Sequence, residues 1–208
     1  MTLSREKIAL LVIDMQNGFL AEAGSMAKIG LPHTALQPAL PGCVALVAAA
    51  RAAGVPVIYT RYVYLPDYSD AGLLPTELVP AMMEVGALTA GSWDAEIVDE
   101  LAPEPGDIII DKARASSFYG TRLEPVLTNL QVRSLVMCGV TTNICVETTA
   151  RDAGQRDYHV HVISDATAEF EQARHDHALH TIGFTFGWVN CVEDVIASWK
   201  APATSPTA

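Results

Sequence analysis

The segment Ile8-Ala-Leu-Leu-Val-Ile13 is apolar at every position and then stops at Asp14. A strand with one face in water alternates polar and apolar residues. An unbroken run therefore demands cover on both faces, as in a parallel sheet flanked by helices. Asp107-Ile-Ile-Ile-Asp111 and Ser134-Leu-Val-Met-Cys138 repeat the pattern, and Pro56–Thr60, Val160–Ile163 and a short Phe186–Val189 read as further strands. Between them, Gly42–Gly54, Thr121–Leu130, Asn143–Gln155, Glu171–Ile182 and Val192–Trp199 read as helices, the first ending at a glycine. The alternation predicts an α/β fold: a three-layer, Rossmann-like open sheet of about six mainly parallel strands with helices on both faces. Residues 1–200 form a single domain in this reading, and the Pro/Ser/Thr/Ala-rich 201–208 a frayed tail. Gln16–Pro41 and Arg61–Pro105 are long connections, the second with a short helix over Ala95–Leu101, and such loops at strand ends commonly form lids.

The ends of the strands carry the chemistry. Asp14 follows the first strand, Lys112 follows Asp107–Asp111, and Cys145 lies in the first turn of the helix that opens after Ser134–Cys138. In an open α/β sheet ligands bind beyond the carboxyl ends of the strands, so topology brings an acid, a base and a thiol to one edge without proximity in sequence. Unpaired N–H groups at a helix start favour an anion. They predict a lowered pKa for the Cys145 thiol and a receiver for an oxyanion. Singly, these residues have ordinary explanations: a turn acid, a surface lysine, an inert half-buried cysteine. Jointly they point to acyl transfer.

A net charge of −11, from 24 acidic and 13 basic residues with no Lys/Arg run, repels phosphate backbones and anionic lipid, so neither nucleic acid nor membrane is an expected partner. The N-terminal apolar run is too brief for a signal segment, and no transmembrane span follows. Cys43, Cys138, Cys145 and Cys191 are widely spaced without a C-x-x-C pair, which fits reduced thiols in a cytoplasmic protein.

Three stretches, Leu11-Val-Ile-Asp-Met-Gln-Asn-Gly-Phe19, Asp111-Lys-Ala-Arg-Ala-Ser-Ser-Phe-Tyr-Gly-Thr121 and Gly139-Val-Thr-Thr-Asn-Ile-Cys-Val-Glu-Thr-Thr-Ala-Arg-Asp152, resemble the isochorismatase-like cysteine hydrolase superfamily. The likeness runs from Ile8 to Trp199. Gly91-Ser-Trp-Asp94, Ile97–Leu101, Pro105–Asp107, Asp165–Thr167 and Phe186–Val189 resemble most its ureidoacrylate amidohydrolase and biuret hydrolase branch. Thr141-Thr142 departs from several relatives, in which alanine or cysteine is expected at the first position. The resemblance implies an Asp14–Lys112–Cys145 triad, a cis peptide between Val140 and Thr141, and an oxyanion hole made by the Thr141 and Cys145 N–H groups. It implies a cysteine amidohydrolase that cleaves an amide C–N bond of a small ureido or carbamoyl compound through a thioester-type intermediate, releasing ammonia or carbamate. No cofactor is implied. A homo-oligomer, dimer or tetramer, is expected.

Candidate substrate contacts are Gln16, Trp93, Arg114, Ser117, Phe118, Tyr119 and Asn143. Gln16 either lines the pocket or is a polar turn residue. Arg114 either grips a substrate carboxylate with two parallel bonds or meets another subunit. Trp93 and Phe118 wall the pocket or pack in the core. Nicotinamidases share the triad but carry metal-binding histidines after the second strand. Thr60-Arg-Tyr-Val-Tyr-Leu-Pro-Asp67 has none, so no metal is expected, and His33, His159, His161, His175, His177 and His180 read as structural or solvated. A non-catalytic binding member of the fold would be expected to lose part of the triad. A thiol redox protein needs a resolving cysteine, for which Cys138 is the only candidate.

Overall fold

Strand β1 (Ile8–Ile13) is buried along its whole length and sits in the middle of the sheet, paired on one side with β2 (Val57–Tyr62) and on the other with β4 (Ser134–Val140). Beyond β2 lies β3 (Ile108–Lys112); beyond β4 lie β5 (His159–Ala168) and β6 (Trp188–Asn190). The order β3-β2-β1-β4-β5-β6, parallel at every pair, is the doubly wound arrangement that the unbroken apolar runs predict. This computed structural model describes residues 7–200. The frayed tail expected over 201–208 lies outside the described residues.

The chain leaves β1 toward β2 in one direction across the sheet and enters β4 from the other. Right-handed crossovers then require helices on opposite faces. Helix α3 (Ala39–Ala53), after the short helices α1 (Asn17–Leu20) and α2 (Ser25–Lys28), covers one face together with α8 (Val192–Lys200). The other face carries α5 (Leu123–Asn129), α6 (Glu147–Gly154) and α7 (Gln172–Thr185), while α4 (Ala81–Glu84) belongs to the long β2–β3 connection. Helix α3 lies very close to β5 because its contact face is made of small residues. A Cβ on Gly42 would stand 2.7 Å from the Asp165 carbonyl oxygen, and the Cys43 thiol donates to the Ala166 carbonyl at 3.3 Å. It ends where expected, at Gly54, whose φ of +69° is the left-handed cap that glycine adopts without steric cost.

Several boundaries differ from the sequence reading. Strand β5 continues to Ala168, not Ile163, and β4 to Val140. The helix expected over Ala95–Leu101 is instead two 3₁₀ turns, Trp93–Ala95 and Asp99–Leu101. Between them the chain is drawn out to bridge Ile97 to Gln16 antiparallel, with the Val98 N–H bonded to the Met15 carbonyl at 3.0 Å, so tertiary pairing overrides local helix preference. The helix expected over Asn143–Gln155 opens as a π-type turn, Thr142–Val146, before α6 begins.

Gly139 faces Ile13 across the β1–β4 pair at φ +114°, and a Cβ there would overlap the Ile13 carbonyl oxygen. Gly139→Ala should therefore part these central strands just below the site. We predict a loss of about 3 kcal/mol or more, read as a lowered urea midpoint with an unchanged slope; a wild-type midpoint would refute this account of the glycine.

Candidate active site

The central strands β1 and β4 mark the point where the winding reverses, and a crevice opens there beyond their carboxyl ends. Asp14 is the first residue past β1, at φ +53°, a left-handed conformation that Asp adopts more readily than most side chains. Its Oδ1 accepts the Thr60 hydroxyl at 2.7 Å, and its N–H donates to the Thr60 carbonyl at 3.1 Å. Lys112 ends β3, two strands away, in register with Tyr62 of β2. Its stem crosses the end of β2 with Nζ 4.2 Å from the centre of the Tyr62 ring and reaches Asp14 Oδ2 at 2.7 Å. Both side chains are 0% exposed.

Cys145 comes from the other side of the switch point, in the π-type turn that follows β4. Its Sγ lies 3.4 Å from Lys112 Nζ, and the ammonium completes its set with the Arg114 carbonyl at 3.1 Å. The ammonium thus donates to a carbonyl and a sulfur while ion-paired with a carboxylate. Burial pulls the Lys112 ammonium down, but Asp14 and the Cys145 sulfur beside it more than offset this and hold it above the ordinary lysine value.

The thiol departs from the expected lowered pKa. Burial pushes Cys145 well above the ordinary thiol range; Lys112 opposes the shift and the Asp14 carboxylate adds to it. The cause is that Lys112 and Asp14 largely cancel one another, leaving little net positive field to hold a thiolate away from water. At rest Cys145 is therefore a thiol beside the Asp14 carboxylate and the Lys112 ammonium.

The Val140–Thr141 peptide is cis, as the resemblance implies. Two groups outside the triad hold the turn. Glu169, buried just past β5, accepts the Asn143 N–H at 3.0 Å on one oxygen and the Phe170 N–H at 2.9 Å on the other. Thr142 Oγ1 is paired with His175 Nδ1 at 2.8 Å. Ending β5 at Ile163 hid Glu169; with the true end at Ala168, the strand-edge rule that selects Asp14 and Lys112 selects it too.

The candidate substrate contacts divide sharply. Gln16 is buried and committed to backbone: its Nε2 donates to the Tyr62 and Ala95 carbonyls at 3.0 and 2.9 Å, and its Oε1 accepts the Tyr62 N–H at 2.7 Å. It braces the end of β1 against β2 and does not face a ligand. Arg114 turns its Nη1 to carbonyls, those of Asp70 at 2.8 Å, Ala71 at 3.0 Å and Ala113 at 2.5 Å, and so fastens the 70–72 turn where a carboxylate grip was expected. Gly72 is needed there, since a Cβ would lie 2.5 Å from the guanidinium. Ser117 bonds Thr149 of α6 through its N–H and hydroxyl, both at 3.0 Å. Phe118 packs on the Tyr158 ring, centroids 6.0 Å apart, with Arg156 above it. Tyr119 and Trp93 are 68% and 49% exposed and line no part of the pocket beside the thiol. Asn143 lies next to the nucleophile, but its side-chain amide is held between Glu169 and Arg174.

That pocket is a cavity of about 140 Å³ reaching from Cys145 and Thr141 along Met26, Leu74, Val79 and Leu88. Asp94, which sequence reading passed over, shapes its wall by accepting the Ser25 and Leu88 N–H groups, each at 2.8 Å.

His161 bonds Asn190 at 3.0 Å and stacks on Trp188, His159 meets the same indole edge-on, and His177 and His180 are exposed. Among the described residues no group of three or more His, Cys, Asp and Glu is placed to hold a metal ion. Cys138 is buried in β4, where its thiol neighbours Cys43 of α3. Among the described residues no helix is long and apolar enough to cross a membrane.

Residues 8–194 match the isochorismatase domain family model. A ureidoacrylate amidohydrolase from Methylorubrum extorquens is 37% identical over 96% of this chain and 84% of its own length; one from an Enterobacter species is 35% identical over 100% of this chain and 95% of its own. Among solved structures, a cysteine hydrolase from Pseudomonas syringae pv. phaseolicola superposes with a TM-score of 0.87 at 32% identity, covering 96% of this chain and 95% of that one. An N-carbamoylsarcosine amidase from Thermoplasma acidophilum superposes with a TM-score of 0.73 at 26% identity, covering 90% and 97%.

The opposed effects of Asp14 and Lys112 on the thiol yield a prediction with two signs. Asp14→Asn should lower turnover by roughly 10²- to 10⁴-fold yet speed alkylation of Cys145 by iodoacetamide at neutral pH, since the anion that disfavours the thiolate is gone. Lys112→Met should slow both and destabilise the fold by about 3–5 kcal/mol, because it strands a buried carboxylate. Peptide-resolved alkylation rates from pH 6 to 10 decide it, and a slower Cys145 in Asp14→Asn would contradict the electrostatic assignment.

Proposed function

From membership of the isochorismatase family, to which this chain belongs, we propose that it is a cysteine-dependent amidohydrolase that cleaves the amide C–N bond of a small ureido or carbamoyl compound. The observation that carries the reading is the contact set at the switch point: one ammonium within 2.7 Å of a buried carboxylate and 3.4 Å of a buried thiol. The names of the relatives, ureidoacrylate amidohydrolase and N-carbamoylsarcosine amidase, support the ureido and carbamoyl class.

Asp14 takes the thiol proton as Sγ bonds to the scissile carbonyl carbon, and Lys112 balances the charge that the sulfur then carries. The carbonyl oxygen becomes an oxyanion facing the Thr141 and Cys145 N–H groups. Its collapse breaks the C–N bond, the leaving nitrogen takes the proton from Asp14, and ammonia departs from a terminal carbamoyl group, leaving a thiocarbamate on Cys145. Water then gives a proton to Asp14 and its hydroxide to the carbonyl, and the sulfur leaves and recovers the proton. The product is a carbamate, and the net reaction consumes one water. A thiol that is neutral at rest suits this sequence, because the same carboxylate serves as base and acid in turn.

Cys145→Ala should lower ammonia release by roughly ten-thousand-fold or more while leaving the circular dichroism and melting unchanged, and mass spectrometry of the quenched wild type should find the acyl group on Cys145. Undiminished turnover in the variant would overturn the proposal. Turnover should also persist after exhaustive dialysis against EDTA; loss that zinc, iron or manganese restores would favour a metal-dependent, nicotinamidase-like enzyme.

A further inference from the structure

The cavity beside Cys145 has walls of one kind. Met26, Leu74, Val79 and Leu88 give it side chains without charge, and Cys145 closes one end with Thr141. No cation lines it: Lys112 is engaged by Asp14, the Arg114 carbonyl and Cys145, and Arg114 lies outside the lining, with its Nη1 on the carbonyls of the 70–72 turn. The amide of Gln16 is likewise held by main-chain partners. A carboxylate entering this space would lose its hydration and meet no cationic side chain in the lining, a penalty that a neutral apolar group escapes. The volume sets the size. A cavity of about 150 Å³ walled by Leu, Ile and Phe stays dry and accepts benzene, and this one measures about 140 Å³.

We infer that the substituent on the scissile carbonyl is neutral and apolar, about the size of a branched butyl group or a phenyl ring, and that the enzyme discriminates against the carboxylate-bearing compounds its relatives' names suggest. This rests on the hydrolase reading above and specifies its substrate. Selection is exerted by the apolar wall, since a neutral alkyl or aryl group gains by leaving water for the same space that a carboxylate cannot enter unpaired.

The test uses the full chain and two matched pairs: isobutylurea against ureidoacetate, and 3-methylbutanamide against malonamate. Within each pair only the charge at the far end changes appreciably. We expect the neutral member to exceed the charged one in kcat/KM, measured by ammonia release, by roughly 100-fold or more. A charged member that equals or exceeds its partner would overturn this inference and leave the hydrolase reading standing. No ammonia from either pair, with Cys145 unmodified by mass spectrometry, would bring down the hydrolase reading and this inference with it. Leu74 is half-buried on the loop side of the cavity, so Leu74→Arg introduces a cation with its stem along the wall. In folded Leu74→Arg the ratio should move toward the charged members by roughly tenfold or more; an unchanged ratio would remove this cavity as the substrate subsite.

Discussion

The Lys112–Asp14 ion pair, 2.7 Å long with neither side chain exposed, is the constraint around which the rest of the site is organised. Two charges withdrawn from water lose several kcal/mol of hydration each, and their attraction offsets this only if every remaining donor and acceptor is met. The fold supplies the Thr60 hydroxyl to the acid, and the Arg114 carbonyl, the Tyr62 ring and the Cys145 sulfur to the ammonium. These partners come from β2, from the segment past β3 and from the turn past β4. The pair is therefore stable only when the carboxyl ends of four adjacent strands, β1 through β4, are assembled in register.

The same pair sets the state of the Cys145 thiol. An isolated lysine beside a cysteine would favour a standing thiolate; a lysine already matched by a carboxylate does not, and burial keeps the proton on sulfur. The site holds an acid–base group and a thiol in contact without ionising the thiol in advance. In the proposed reaction charge develops on sulfur when a carbonyl is present to receive it, which places the stabilisation by Lys112 in that reaction and not in the resting state.

Orientation of the thiol depends on groups beyond Asp14 and Lys112. Glu169 fixes one end of the π-type turn through the Asn143 N–H, and His175 fixes Thr142 from α7. Burial holds His175 below the ordinary imidazole pKa, so it bonds Thr142 as a neutral ring around neutrality. On the other side Gln16, Asn17 and Asp94 lace the loops after β1 and β2 together, Asn17 through the Trp93 carbonyl at 3.0 Å. The polar residues that looked like ligand contacts in the sequence are largely the stitching of the pocket, and the surface left facing the thiol is apolar.

The amino-acid sequence by itself determined the layered α/β class and the placement of Asp14, Lys112 and Cys145 at one edge. Unbroken apolar runs can be satisfied only by a covered parallel sheet, and the residue after each run must emerge at its carboxyl end. Strand lengths were less legible: β5 runs on through Ser164-Asp-Ala-Thr167, where the Ser164 hydroxyl donates to the Asn190 carbonyl and Asp165 accepts the Val192 N–H. Only the tertiary structure decided what Gln16, Arg114, Ser117 and Phe118 touch, because a hydrogen-bonding or aromatic side chain in a loop serves a ligand or a backbone equally well until its neighbours are known. It also decided the protonation of Cys145. A helix start predicts a field from local geometry alone, whereas burial and the Asp14 carboxylate reach the sulfur from strands distant in the chain, and in a site closed to water those contributions are the larger.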